Sequence, residues 1–326
     1  GGEDPRVHRI PSFGRAIDPV ADLRTLRHLT AELRRLAPDV VQTHTAKAGL
    51  LGRIAARRAG VPHVVHTFHG HTLHGYFPRP VTAAFTRIER WLAPRTDRLL
   101  AVGARVRDEL LAAGVGRPEQ YEVVPPGVAA PAAQDRDAAR AALDLPPDAD
   151  VVAFIGRLTA VKRPDRLVAA AETVASRRAG VVFLVVGDGE LREEVAAAAA
   201  AGPADVRLIG WRPDVDAILA ASDLVALTSD NEGMPLTLIE AAMSGRACVT
   251  TDVGSAGEVV RDGDTGRVVP PNAAAVADAI LELLADPTRL AEAGRSARAH
   301  AEAEFGLPAL VRRVTALHRG LVGAER

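Results

Sequence analysis

The sequence predicts an α/β protein made of two units, each built around a parallel sheet. Short apolar runs alternate with segments of helical spacing along most of the chain, a pattern typical of parallel strands joined by right-handed crossovers. With 326 residues, the chain is also longer than a single core usually serves. The alternation is interrupted at Pro125-Pro-Gly-Val-Ala-Ala-Pro131, which we interpret as the start of the linker between the units.

In the first unit, helices are predicted from apolar spacing and strands from short runs of apolar residues. Leucines recur at helical intervals over residues 18–36, and Gly60 is placed to end the following helix. The predicted strands are 6–10, 39–44, 63–67, 97–102 and 121–124, and the predicted helices are 18–36, 46–59, 81–92 and 105–113.

The second unit repeats the alternation and ends in a run of helices. Its predicted strands are 151–155, 181–186, 206–209, 223–227, 247–251 and 266–269, and its predicted helices are 135–145, 164–177, 190–201, 215–221, 235–244, 256–261, 273–285, 288–304 and 308–321. A cleft between two such units places ligands at the carboxyl ends of the strands. We assign residues 1–130 to an N-terminal domain and 131–307 to a C-terminal domain.

Composition excludes several classes of protein. A net charge of -1 gives no whole-chain electrostatic case for binding nucleic acid. The single cysteine, Cys248, cannot form an internal disulfide, so a reducing compartment, the cytoplasm, is the expectation. No apolar run reaches the roughly 20 residues that span a bilayer. Arg87, Arg90, Arg95 and Arg98 are typical of a solvated helix face and loop, with a membrane-facing edge as the alternative.

The stretch from Ser229 to Glu240 combines a strand-to-helix turn with two carboxylates. Pro235 suits the first turn of a helix, and Gly233 allows the backbone to approach a ligand closely. Glu232 lies in the turn, about two helical turns before Glu240. Because early helix amides lack internal partners, this turn suits a ligand that joins hydroxyls to phosphate oxygens. A surface turn with a capping carboxylate is the alternative.

Basic residues follow the first strand of the second unit. Gly156-Arg-Leu-Thr-Ala-Val-Lys-Arg163 places Arg157 and Lys162 at the carboxyl end of that strand, where they suit a diphosphate. A solvated basic loop is the alternative. Val186-Gly-Asp-Gly189 is better explained as a turn with a helix cap by Asp188, although its backbone would line the same edge of the sheet. For Gly210-Trp-Arg-Pro-Asp214, a structural turn and a segment whose backbone contacts a base both stay open.

The histidines at 66, 69, 71 and 74 cluster after a predicted strand. Their spacing fits no single helix face and no cysteine is near, so we predict a polar active-site loop rather than a zinc site. Four Asp-x-Asp pairs lie in linkers, caps or turns, where aspartate is favoured anyway. We therefore infer no metal from them.

Taken in order, these elements resemble the retaining glycosyltransferases of family 4. The resemblance rests on Glu232 and Glu240 within Asn-Glu-Gly-Met-Pro-Leu, on Gly156-Arg-Leu followed by Lys162, and on Gly187-Asp-Gly189. It also rests on two N-terminal elements, Thr43-His-Thr-Ala-Lys-Ala-Gly-Leu-Leu-Gly52 with Thr67-Phe-His-Gly70, and Ala101-Val followed by Glu122-Val-Val-Pro-Pro-Gly-Val128.

The resemblance implies a GT-B fold, in which two Rossmann-like domains with parallel sheets face each other across a cleft. It implies that the last helix, residues 308–326, crosses back to the N-terminal domain. It gives catalytic roles to Glu232, His69, Arg157 and Lys162. It assigns the nucleotide-sugar to Arg157 and Lys162 with Gly187, Arg212, Gly233, Met234, Pro235, Leu236 and Glu240.

The expected activity is transfer of a hexose from a UDP- or GDP-sugar to a glycan, lipid-linked or small-molecule acceptor, as in polysaccharide biosynthesis. The resemblance implies retained anomeric configuration and no cofactor or metal, and peripheral contact with the inner face of the membrane is a further expectation. The family's first βα unit has no counterpart here. A non-catalytic nucleotide-sugar-binding fragment or partner subunit therefore stays open, as does, less strongly, a GT-B epimerase of UDP-N-acetylhexosamine.

Overall fold

A computed structural model describes residues 7–14, 16–70 and 79–323. The first unit is a parallel sheet of four strands in the order β1-β2-β3-β4. These strands are β1 (Val40–His44), β2 (His63–Phe68), β3 (Arg98–Ala101) and β4 (Tyr121–Val123), and the helices are α1 (Pro19–Leu36), α2 (Ala46–Ala59), α3 (Arg79–Leu92) and α4 (Ala104–Ala112).

The helix ends of this unit follow from local residues. The Asp18 carboxylate accepts hydrogen bonds from the amides of Val20 and Ala21 and so begins α1. Gly60, at φ +78°, ends α2 in the left-handed conformation that glycine adopts at little cost. The strand predicted over 6–10 is wrong in the part that can be compared, because residues 7–10 form no strand.

The second unit is a parallel sheet of six strands in the order β10-β9-β8-β5-β6-β7. Its strands are β5 (Asp150–Ile155), β6 (Val181–Val186), β7 (Asp205–Gly210), β8 (Leu224–Leu227), β9 (Ala247–Thr251) and β10 (Gly266–Val269). Its helices are α5 (Arg136–Ala142), α6 (Pro164–Ala175), α7 (Arg192–Ala201), α8 (Val215–Ala221), α9 (Leu236–Met243), α10 (Ala256–Val259), α11 (Ala273–Leu284) and α12 (Pro287–Phe305). The strand order reverses between β5 and β8, which makes this the topological switch point of the sheet.

The chain crosses between the units twice, and the two crossings lie side by side. Val128, in the linker, donates a backbone hydrogen bond to Phe305 at 2.8 Å, and Leu307 donates one to Val128 at 3.1 Å. The last helix, α13 (Leu307–Gly323), then packs on the first sheet. Its residues Leu317 and Leu321 are buried in one cluster with Val65, Leu100 and Val124.

A continuous apolar core also joins the two units. Phe68 and Val102 of the first unit belong to the same buried cluster as Met234 and Leu238 of the second. The carboxyl ends of β2 and β8 therefore meet at the cleft, which places the residues that follow them next to one another.

Candidate active site

The Glu232 carboxylate is nearly buried and has two donors. It is 7% exposed. Its Oε1 accepts from Lys162 Nζ at 2.6 Å and from Ser229 Oγ at 2.6 Å. Within the described part of the chain, its Oε2 has no such donor. The sequence-predicted pair of Lys162 and Glu232 is thus in direct contact, whereas Ser229 is a site residue that sequence reasoning missed.

Lys162 is positioned by hydrogen bonds between the loops after β5 and β8. It ends a 3-10 turn, Ala160–Lys162. The Thr228 hydroxyl donates to the Lys162 carbonyl at 3.2 Å, and the Asp230 amide donates to the Val161 carbonyl at 2.8 Å. Because these bonds join backbone to backbone and to a buried threonine, they fix the start of the lysine side chain.

Helix α9 begins beside Glu232, but not as the sequence predicts. Pro235 is the residue before the helix, with ψ at 106°, and the first helical residue is Leu236. The prediction that Pro235 lies in the first turn is therefore wrong by one position, because its extended ψ cannot continue a helix. The Met234 side chain is buried in the core, so Met234 and Gly233 can offer a ligand only their backbone.

Arg157 and Glu240 are predicted ligand-binding residues whose side chains have no partner among the residues that the structure describes. Arg157 is exposed directly after β5, and in the described ranges its side chain has no hydrogen bond or ion pair. Glu240 is half-buried on α9 and likewise has none there. Burial, together with the charge of Asp216, raises the pKa of Glu240. A desolvated carboxylate that lacks donors is suited to accept hydrogen bonds from a ligand.

The other predicted residues of this domain lie at the same edge of the sheet. Gly187 follows β6, and its amide donates to the Gly210 carbonyl at 2.8 Å. Arg212 follows β7, where its guanidinium donates to both oxygens of Asp214, at 2.8 and 2.6 Å. The Arg212 side chain is thus already engaged, so a contact of this segment with a base falls to its backbone.

His69 faces the Glu232 turn from the first unit. A Cβ atom added to Gly233 would lie 2.4 Å from the His69 carbonyl oxygen and 2.8 Å from Gly70 Cα. Such contacts are closer than real Cβ atoms make, so this approach of the two backbones requires glycine at 233. The structure therefore brings His69 to the cleft beside the carboxylate turn.

His69 is paired with His44, a residue that sequence reasoning did not single out. His44 Nδ1 and His69 Nε2 are 2.8 Å apart and share a hydrogen bond. Desolvation lowers the pKa of both histidines, and for His69 the neighbouring charge of His44 adds to the effect. Both rings are thereby held neutral near pH 7, one as donor and the other as acceptor.

His66 does not belong to the predicted active-site loop. It lies in β2, is 1% exposed and bonds Thr43 Oγ1 through Nδ1 at 2.8 Å. Burial lowers its pKa to about 2, so it is a neutral core residue. His71 and His74 lie outside the described residues. Among the residues that are described, no three His, Cys, Asp or Glu side chains form a group that could hold a metal.

Two parallel-sheet units whose strand ends meet across a cleft define a GT-B protein, and the comparisons agree. Residues 135–300 match the family Glycosyl transferases group 1, and residues 1–127 match the family Glycosyl transferase 4-like domain. The chain belongs to the group 1 glycosyltransferases. The family expected from the sequence is thereby confirmed.

Relatives with curated names are similar over most of this chain. One is the UDP-Gal:alpha-D-GlcNAc-diphosphoundecaprenol alpha-1,3-galactosyltransferase of Escherichia coli, 32% identical over 276 residues, which are 82% of this chain and 71% of that protein. Another is the D-inositol 3-phosphate glycosyltransferase of Rhodococcus erythropolis, 34% identical over 290 residues. The match covers 81% of this chain but 64% of that relative, less than two thirds of its length.

Solved structures share the fold at lower identity. The Anabaena protein HepE in complex with UDP matches with a TM-score of 0.82 and 22% identity, over 93% of this chain and 84% of that one. Sucrose-phosphate synthase from Thermosynechococcus elongatus matches with a TM-score of 0.84 and 21% identity, over 97% of this chain and 83% of that one. The GT-B architecture expected from the sequence is therefore confirmed.

Proposed function

We propose that this chain is a retaining hexosyltransferase that takes its sugar from a UDP- or GDP-sugar. The observation that carries the proposal is the arrangement at the switch point between β5 and β8. There the Lys162–Glu232 pair is largely buried, and Arg157 precedes it in the same loop. Glu240 lies on the helix that begins after Glu232, and neither Glu240 nor Arg157 has a side-chain partner among the described residues. This set offers cations to a diphosphate and carboxylates to sugar hydroxyls.

The diphosphate half of the proposal rests on Arg157, Lys162 and the start of α9. The Lys162 ammonium has three N–H donors, of which one goes to Glu232, so two are available for phosphate oxygens. Leu236 opens α9, where the first amides of a helix favour an anion. Negative charge grows on the diphosphate as its bond to the sugar breaks, so these groups stabilise the transition state more than the ground state.

The sugar half of the proposal rests on three side chains. Glu232 Oε2 accepts from a hydroxyl of the donor sugar, while Glu240 accepts from the ribose hydroxyls. Hydrogen bonds to the charged form of Glu240 would offset the desolvation that raises its pKa. His69, fixed by His44, meets the sugar from the opposite side of the cleft. The backbone of Gly187 and Arg212 contacts the base.

In the proposed reaction, the bond between the anomeric carbon and the diphosphate breaks as the acceptor oxygen bonds to that carbon on the same face. The acceptor's proton passes to a phosphate oxygen of the leaving nucleoside diphosphate, so atoms and charge balance. The positive charges of Arg157 and Lys162 offset the negative charge of the diphosphate, so we propose that no divalent cation is required. Turnover should therefore proceed when EDTA is present.

For the acceptor, we propose a lipid-linked sugar. The E. coli relative is named for UDP-Gal and a diphosphoundecaprenol-linked acceptor. That name favours UDP over GDP as well. An inositol phosphate, named for the R. erythropolis relative, is the small-molecule alternative.

The test is release of UDP or GDP from a panel of nucleotide-sugars, with each acceptor class and with EDTA present. The expected result is nucleoside diphosphate release that depends on the acceptor, with an α-linked product from an α-linked donor. Nucleotide binding without turnover for every acceptor would refute the transferase and leave a binding protein. A product of unchanged sugar mass would point to an epimerase.

We further propose that the exposed face of α3 contacts an anionic membrane. Arg79, Arg87 and Arg90 are exposed on it, and Trp91 is 48% exposed beside Arg95. The acidic residue of this helix is buried in an ion pair, so it does not offset these charges. Arginines with an interfacial tryptophan suit a lipid headgroup layer. None of the described helices is long and apolar enough to cross a bilayer.

Co-sedimentation with vesicles tests the membrane proposal. We expect binding to vesicles with phosphatidylglycerol and little binding to pure phosphatidylcholine. The double variant Arg87→Glu with Trp91→Ala should no longer bind the vesicles that contain phosphatidylglycerol. Changing Arg98, which lies on β3 with Glu122 3.9 Å away, to glutamine should leave binding unchanged. Equal binding to both vesicle types would contradict the electrostatic argument.

A further inference from the structure

Helix α4 of the first unit is capped by a carboxylate of the second unit. The residue before the helix is Gly103, which has no side chain to cap it. Glu258 supplies the cap instead. Its Oε2 accepts from the Ala104 amide at 2.8 Å and its Oε1 from the Arg105 amide at 3.0 Å. A carboxylate bound to two unpaired amides at a helix start is favoured by charge-assisted bonds and by the helix dipole.

An ion pair lies beside this cap. Arg105 Nη1 is 2.7 Å from Asp252 Oδ1, and both side chains are solvent-accessible. An exposed pair contributes little by itself. It joins the same two segments as Glu258, however, so three hydrogen bonds to Asp252 and Glu258 hold the start of α4.

The segment that carries Glu258 also supports the Glu232 turn. The buried Ser255 donates its backbone amide to the Gly233 carbonyl at 3.0 Å. Gly233 is the residue against which the His69 carbonyl packs. A chain of contacts therefore runs from α4 through Glu258 and Ser255 to the turn between the two halves of the site.

We propose that Glu258 is a positioning residue, which latches the first unit onto the segment that supports the Glu232 turn and so sets the distance between His69 and that turn. The proposal rests on the proposed function, since its catalytic consequence requires a sugar in the cleft. Glu258 itself bonds backbone amides and acts through them.

The latch predicts an effect on amide exchange that does not depend on any substrate. In Glu258→Ala, deuterium exchange at the first turn of α4 should rise at least tenfold, because two amides lose their acceptor. Glu258→Gln keeps one acceptor oxygen and should give a smaller rise. Asp278→Asn is the matched control, since Asp278 pairs with Arg177 on the exposed surface of the same unit. It should leave α4 unchanged.

If Glu258 acts by positioning, its replacement should lower kcat and leave the Kd for the nucleotide nearly unchanged. The nucleotide is held by Arg157, Lys162 and Glu240 of the second unit, so its Kd should stay within twofold in Glu258→Ala. The value of kcat should fall at least tenfold. Ala104→Pro removes one donor and displaces the carboxylate, at a helix position where proline is tolerated. It should lower kcat similarly, and combining it with Glu258→Ala should add little further loss.

The outcomes separate the latch from the proposed function. Unchanged exchange in Glu258→Ala would overturn the latch. Raised exchange with unchanged kcat and KM would overturn positioning. If Glu258→Ala does not fold, Glu258→Gln and Ala104→Pro give the same two measurements. If the unaltered chain transfers no sugar, the proposed function fails. Deuterium exchange at the first turn of α4 still shows whether Glu258 holds that helix, which the positioning role requires.

Discussion

Replacing Lys162 by methionine removes the ammonium that donates to Glu232 and keeps most of the side chain's apolar stem. Breaking a fully buried ion pair costs about 3–5 kcal/mol. Here the lysine side chain is 19% exposed and Ser229 still donates to the carboxylate. We therefore expect the free energy of unfolding to fall by about 2–3 kcal/mol. The loss comes from leaving Glu232 charged and nearly buried with one donor.

The same substitution should slow catalysis for a separate reason. A charge-assisted hydrogen bond to the leaving diphosphate contributes about 1.5–3 kcal/mol, so its loss should lower kcat/KM about 10- to 150-fold. Urea unfolding followed by circular dichroism measures the first effect. Nucleoside diphosphate release, at a temperature where the variant is fully folded, measures the second.

A double variant distinguishes the two effects. Glu232→Gln removes the charge that Lys162→Met leaves unpaired, so the double variant should regain stability relative to Lys162→Met alone. It should regain no activity, because the cation is still missing. If Lys162→Met keeps the stability of the unaltered chain and a kcat/KM within twofold of it, Lys162 neither stabilises the fold through Glu232 nor stabilises the leaving diphosphate.

Three further predictions concern substitutions of single residues. Glu240→Gln should weaken UDP binding about tenfold by calorimetry. It should also raise the Tm of the free chain, because burial disfavours the charged form of Glu240. Gly233→Ala should lower kcat/KM about 100-fold, since its Cβ would lie 2.4 Å from the His69 carbonyl oxygen. Gly320→Ala is the control and should leave kcat/KM unchanged, because a Cβ there meets open space. The pKa of His66 is about 2 when folded and 6.5 when unfolded, so below pH 6.5 the unfolded chain binds the extra proton. The free energy of unfolding should then fall by about 1.6 kcal/mol between pH 6.5 and 5, and His66→Phe should remove that part of the pH dependence measured by urea titration.

The sequence predicts the fold well wherever one local signal decides an element. Strand β6 has its predicted bounds because six consecutive apolar residues are all buried. Helix α2 has its predicted bounds because Gly60 ends it. The strand predicted over 6–10 failed over residues 7–10, because a strand requires a neighbouring strand to pair with and no local pattern supplies one. Pro235 was placed one position too far into α9 because proline suits both positions.

In the site, the sequence identifies charged groups better than it identifies what holds them. Lys162 and Glu232 are 70 residues apart and still in contact, because their motifs follow β5 and β8, which the structure shows to be adjacent strands. His44 was missed although it ends β1, the neighbour of β2. Since His69 follows β2 directly, the order of strands in the sheet would have brought the two histidines together.

The Glu232–Gly233 turn is held by three segments that are distant in sequence. Lys162 reaches it from the loop after β5, Ser255 from the loop after β9, and His69 from the first unit. Of these contacts, only the lysine pair is between charged side chains, while the other two are backbone contacts that a sequence motif does not report. Substitutions in any of the three segments should therefore act on the same turn. Their effects on kcat should combine to less than the sum of the separate effects, as expected for residues that act as one unit.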